Sequence, residues 1–383
     1  MALERSRREF LLDTLKATSV LAVGPSLLQM TSLARAGNLS SIGPLQAPDA
    51  NGIRLPVGFT SRVIARSGQA VAGYTWHNAP DGGATFPTAG GGWVYTSNSE
   101  VGSGAGGCGA IEFNSIGGIV RAQRILGGTS TNCAGGPTPW NTWLSCEEIS
   151  RGAVWETFPL TGAPAVRRAA LGLFTHEAVA LDPVFEHVYL TEDRTDGCLY
   201  RFVPTGGFPN LAGGQLQVAR VSSSGAVSWV RVPDPAATST STRFQVSGVR
   251  RFNGGEGIWY HRGLIYFTTK GDNRVWRLDT QTQILTIIYD VNDTRIPNRI
   301  LSGVDNVTVN PTGDILVAED GGDLQICVID QSRVPKALLQ VTGQSGTEIT
   351  GPALSPNATR LYFSSQRGLG SNRGITYEIS GRF

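Results

Sequence analysis

The chain has 383 residues, of which 40% are hydrophobic and only 16% charged, too apolar for a disordered chain and too weakly charged for a solvated tail. Its 32 basic and 30 acidic groups leave a net charge of +2, with no basic stripe interleaved with aromatics, which argues against nucleic acid as a partner. Forty-nine glycines and twenty prolines suit many short strands joined by turns and speak against a helical bundle.

The chain opens with Ser6-Arg7-Arg8-Glu9-Phe10-Leu11-Leu12, a mildly apolar stretch to Leu33, then Ala34-Arg35-Ala36. This reads as a twin-arginine signal peptide over residues 1–36, recognised by the twin-arginine export machinery and cleaved after Ala36. Gly24-Pro25, Lys16 and Gln29 interrupt the stretch, so it makes a poor membrane span, and none is expected after cleavage. Removal takes five basic and three acidic groups and leaves 27 of each, a formally neutral periplasmic or secreted protein. Five cysteines, at 108, 133, 146, 198 and 327, leave an odd thiol in that compartment.

Residues 37–383 read as one domain built from a repeated theme: a polar residue beside glycine or proline, an apolar strand, a turn, and a strand of the form apolar-aromatic-apolar. Starting marks at 87, 132, 176, 256, 305 and 351 are spaced by 45, 44, 80, 49 and 46 residues. The long interval holds an insertion at about 204–243, two loop-like runs around an added hairpin, which is expected to decorate the rim. Repeats of this length with four strands each mark an all-β, six-bladed β-propeller, expected as a monomer.

In such a ring the innermost strands start near the axis, so residues at corresponding starts meet at one mouth of the channel. The rule gathers Asn132-Cys133, His176-Glu177, Glu256 and Asp305-Asn306. Ends of second strands add Asn98 and Glu100, Glu147 and Glu148, Glu192 and Asp193, and Glu319 and Asp320. Convergent carboxylates repel and call for bound cations. Oxygen ligands suit calcium, whereas the thiolate of Cys133 suits a transition metal. Two other readings stay open: each acid satisfies backbone amides at its own turn, or Cys133 forms a disulfide with Cys146.

The run Asn132-Cys-Ala-Gly-Gly-Pro-Thr-Pro-Trp-Asn-Thr-Trp-Leu-Ser-Cys-Glu-Glu148, with Phe174-Thr-His-Glu177 and Tyr189-Leu-Thr-Glu-Asp193, resembles the PhoX-type alkaline phosphatase family over nearly all of the mature chain. The resemblance implies two Fe3+ ions and several Ca2+ ions, with a bridging oxygen that attacks a phosphate monoester. It matches Cys133, Glu177 and Glu256 to iron ligands and to the catalytic centre, and Glu148, Asp193 and Asp196 to calcium-side carboxylates. Asn98 and Glu100 resemble the family's Asn-His-Glu strand end, with Ser99 in place of the histidine. One departure is Gly254, where the family carries an arginine that clamps phosphate; weak phosphatase activity is therefore expected unless Arg251 or Arg367 compensates. Two competing functions are a calcium-dependent propeller lactonase or esterase, which needs no thiolate, and a non-enzymatic binding propeller whose metals only hold the ring together.

Overall fold

The computed structural model describes residue 37 and residues 39–383, so the signal peptide expected at 1–36 lies outside the described residues. Among the described residues, six antiparallel sheets of four or five strands follow one another along the chain, besides one two-stranded ribbon. Their innermost strands are Pro80–Pro87, Asn132–Pro137, His176–Asp182, Gly255–His261, Val304–Val309 and Ile349–Leu354. Each packs against the next, and the sixth returns to the first, so the sheets are the blades of a closed six-bladed propeller.

The middle strands are apolar on both faces because each sheet is covered by two neighbours. His187–Glu192, for example, is buried at every residue after its first. The core therefore lies between blades rather than on the axis. Trp93, Tyr95 and Phe113 of the first blade pack with Ala353 and Tyr362 of the sixth, where the Tyr95 and Tyr362 rings stack at 4.8 Å. Such aromatic pairs add specific geometry to the area they bury.

Closure comes from the N-terminal end of the domain. Thr60–Arg66 pairs with Ile375–Ser380 and completes the sixth sheet, which joins the two ends of the chain by backbone hydrogen bonds. Ile53–Arg54 adds a fifth strand to the fifth sheet. The residues of the long third interval form Gly214–Val221 and Val227–Arg231, the fourth and fifth strands of the third sheet, so the hairpin lies at that sheet's outer edge.

The first blade begins at Pro80, not at Pro87. Pro87 is the last residue of the innermost strand and pairs with Trp93 across the hairpin. The mark at 87 therefore falls one strand length late, and the true start exposes Asp81 as the counterpart of Cys133 and Glu177.

Candidate metal centre

All six innermost strands carry the same irregularity near their start, after the first residue in five and after the second in the sixth: two residues oppose one on the second strand. Such a bulge re-aims a side chain. The re-aimed position holds Asp81, Cys133, Glu177, Glu256, Asp305 and Gly351 in blade order. The next residue must be small where the neighbouring strand passes close by. A Cβ on Gly82 would stand 2.5 Å from the Cα of Ala134, and one on Gly257 would stand 2.5 Å from the backbone nitrogen of Val307.

The bulges bring the predicted residues together. Ligand atoms of Cys133, Glu148 and Glu177 lie within 4.8 Å of one another, as do those of Glu177, Glu256 and Asp305, and those of Asp305, Asp320 and Glu348. Glu177 and Asp305 are each shared by two groups, so the three form one continuous arc. Because the sixth blade has glycine at its bulge, Glu348 enters the arc from just before that strand.

The electrostatics are those of carboxyls crowded together in a buried place. Glu177 is fully buried, and neither carboxylate oxygen has a hydrogen-bond partner. Burial, then the charges of Glu256, Glu148, Asp305 and Asp81, push its pKa well above the usual carboxylate range. Burial, then Asp193 and Glu100, raise Glu148 to about 9. Burial also raises the Cys133 thiol, reinforced by Asp81, Glu177 and Glu148; its Sγ faces Asp81 Oδ2 at 3.7 Å. A cation reverses each of these penalties at once, and the mixed thiol and carboxylate set fits a transition metal beside oxygen-bound calcium.

Strand parity decides which of two adjacent acids faces the mouth. Glu147 accepts hydrogen bonds from the backbone nitrogens of Ser130 and Ala153 at 3.0 and 3.2 Å and from Trp155 Nε1 at 3.1 Å. Glu192 accepts from the Cys198 nitrogen at 3.2 Å and the Tyr200 hydroxyl at 2.8 Å, and Glu319 from the nitrogens of Ser302 and Gln325 at 3.0 Å each. These three are turn carboxylates on the far side of their strands. Their successors Glu148 and Asp320 belong to the arc, and Asp193 stands close enough to raise Glu148 and Glu256.

The other expected site residues make different contacts. Asp196 is held in an ion pair with Arg243 Nε at 3.0 Å and belongs to none of the three groups. Asn98 is fully buried with both ends engaged: its Nδ2 donates to the carbonyls of Cys133 and Ala134 at 3.1 and 2.8 Å, while its Oδ1 accepts from Trp143 Nε1 and the Ser145 hydroxyl at 2.9 Å each. It braces the Cys133 bulge. Arg251 is exposed and donates to the Asp196 carbonyl at 3.1 Å and to Cys198 Sγ at 3.2 Å. Arg367 does reach the mouth, where it pairs with Glu348 and, at 2.8 Å, with Glu100. His176 turns outward: its Nε2 lies 2.9 Å from the Gly172 carbonyl, and burial lowers its pKa to about 4, so it stays neutral. All five cysteines are free. Cys146 is packed among apolar residues of the second and third blades and faces away from Cys133.

Gly254 has a φ of +69°, a conformation that strains any side chain, so an arginine there requires a rearranged backbone. A Cβ built on it would lie 3.7 Å from Lys270 Cβ. Lys270 is a site residue that sequence reasoning missed, as are Asp81 and Glu348. Its Nζ stands 3.0 Å from Glu256 Oε1 and 3.3 Å from Asp320 Oδ2. A separate cavity at the far end of the channel, lined by Trp259, His261, Asn310 and Ser355 among others, contains none of these acids.

The family model described as Alkaline phosphatase PhoX matches residues 104–163 and 159–368. Among solved structures, Pseudomonas fluorescens PhoX in complex with vanadate, a transition state analogue, is similar with a TM-score of 0.73 at 16% identity, over 89% of this chain and 97% of that one. A protein of unknown function from Dyadobacter fermentans has a TM-score of 0.53 at 9% identity, over 86% and 100%. A gluconolactonase from Xanthomonas campestris reaches only 0.45 at 13% identity, over 90% and 99%. No curated protein matches the chain in sequence.

Proposed function

The chain belongs to the PhoX alkaline phosphatase family, and from that premise we propose that it is an exported, metal-dependent hydrolase of phosphate monoesters whose centre is the acidic arc at the propeller mouth. The observation that carries the proposal is Glu177, fully buried with both oxygens unpartnered, beside the thiol of Cys133 and the carboxyl of Glu148. A satisfied structural glutamate would be bonded, as Glu147, Glu192 and Glu319 are.

Cys133, Glu148 and Glu177 would hold iron through the thiolate, which moves Glu148 from the calcium side that the resemblance implies to the iron side, and Glu256 to the neighbouring ion. Glu177, Glu256 and Asp305 would hold the neighbouring ion, and the oxygen-only members suit calcium. Bound metals there supply charge neutralisation, Lewis-acid polarisation of a phosphoryl oxygen and an oxygen nucleophile at neutral pH. The chain itself orients and steers. Asn98 fixes the Cys133 bulge through two backbone carbonyls. Arg367, held between Glu100 and Glu348, presents a guanidinium to the anionic oxygens of an arriving phosphoester. Arg251 stays bonded at the rim and takes no such part.

Purified from its own host, the protein is expected to hydrolyse p-nitrophenyl phosphate, to lose that turnover on chelation and to regain it when iron and calcium are returned. Hydrolysis that survives chelation, or turnover of lactones with none of phosphoesters, would overturn the proposal. Export through the twin-arginine route is expected to stop when Arg7 and Arg8 are both replaced by lysine, because the receptor reads the pair as an address; periplasmic accumulation of that variant, measured by fractionation, would remove the localisation.

No helix among the described residues is long and apolar enough to cross a membrane.

A further inference from the structure

The three acidic groups of the arc are not equivalent. The group of Cys133, Glu148 and Glu177 has no ion pair to any basic side chain among the described residues. The group of Asp305, Asp320 and Glu348 is flanked on both sides by cations of the chain: Lys270 Nζ lies 3.3 Å from Asp320 Oδ2, and Arg367 pairs with Glu348. Lys270 also reaches Glu256 Oε1 at 3.0 Å.

The pattern of the blades shows how this arises. The residue that follows the second strand is acidic in the first, second, third and fifth blades, at Glu100, Glu148, Asp193 and Asp320. In the fourth blade the corresponding residue is Lys270, and in the sixth Gln366 is followed by Arg367. The fourth and sixth blades stand on either side of the fifth, which supplies Asp305 and Asp320. A cation therefore stands at the repeat position in the fourth blade, and in the sixth one residue beyond it, on either side of the third group.

We propose that Lys270 and Arg367 take the place of a metal ion at Asp305, Asp320 and Glu348, so that the chain keeps this end of the arc closed with its own charges and binds metal toward the Cys133 end. Two tethered single charges match the charge of one divalent ion, and an ion from solution would have to break both pairs before it could bind. The inference rests on the metal reading of the mouth.

Calcium bound per chain, measured by equilibrium dialysis of the mature protein, tests it. The double variant Lys270→Met/Arg367→Met is expected to bind about one more calcium ion than the wild type, and Lys270→Arg to match the wild type. In the wild-type background, Asp320→Asn/Glu348→Gln is expected to leave the count unchanged, a result that does not depend on the double variant folding. Equal counts for the wild type and the Lys270→Met/Arg367→Met variant, or a lower count after Asp320→Asn/Glu348→Gln, would overturn this inference alone. No metal bound by any of the proteins would overturn it together with the proposed function.

Discussion

Glu177→Gln is expected to weaken metal binding more than any other single change at the mouth, by more than the roughly 10- to 100-fold that loss of a mere supporting partner costs. Glu177 is shared by two of the three acidic groups and has no other partner for either oxygen. Glutamine keeps its shape and removes its charge, so the ring loses a ligand without losing volume. The same change should make the chelated protein more stable than the chelated wild type at neutral pH, because it deletes a buried charge that Glu256, Glu148, Asp305 and Asp81 all oppose. Metal titration together with thermal unfolding in chelator checks both halves. A structural glutamate would give the reverse, with unchanged metal binding and a less stable variant.

The stability conferred by metal is expected to depend steeply on pH. Without metal, burial followed by like charges raises Glu148 to about 9; burial, only partly offset by Lys270, raises Glu256 to about 8. A carboxyl whose folded pKa is raised favours the folded state while it keeps its proton. That contribution is fully present below the unfolded value near 4.5 and is lost as pH rises toward 8 and 9. Metal binding needs the deprotonated ligands, so its stabilisation grows over the same interval. The gap in unfolding temperature between metal-loaded and chelated protein should therefore be small at pH 5 and reach roughly 4 °C at pH 8, from the nearly 3 kcal/mol that about a hundredfold excess over Kd supplies. Parallel unfolding curves across that range check it; a gap independent of pH would show that these carboxyls do not bind the metal.

Much of this was legible before the structure because the repeat itself marks the site. Cys133, Glu177, Glu256 and Asp305 stand beside glycine, alanine or asparagine at equivalent points of their blades, and the bulge that requires such neighbours turns all of them inward. Asp81 carried the same signal in Asp81-Gly82-Gly83, but Pro87 was mistaken for the start of the strand that it ends. The paired acids were harder. Glu147 and Glu148 are adjacent and chemically equal, and only the parity of the strand sends one to Ser130 and the other to the arc. Asp196 was assigned to the calcium side from a motif that fixes its place in the chain but not its partner. That partner is Arg243, supplied by a segment whose position no repeat spacing determines. Glu348 belongs to no recurring motif, and Lys270 stands at the recurring position after the second strand with the opposite charge. Their roles follow from what the other blades place around them.

The most direct test of the central claim, that the mouth of the propeller is a metal centre built on Cys133, Glu148 and Glu177, is anomalous diffraction across the iron absorption edge from crystals of protein exported by its own host. The expected result is an iron peak within bonding distance of Cys133 Sγ and the Glu177 carboxylate, with oxygen-bound ions beside it at Glu256 and Asp305. An iron-free mouth, or a metal bound elsewhere while Cys133 remains a free thiol, would contradict it.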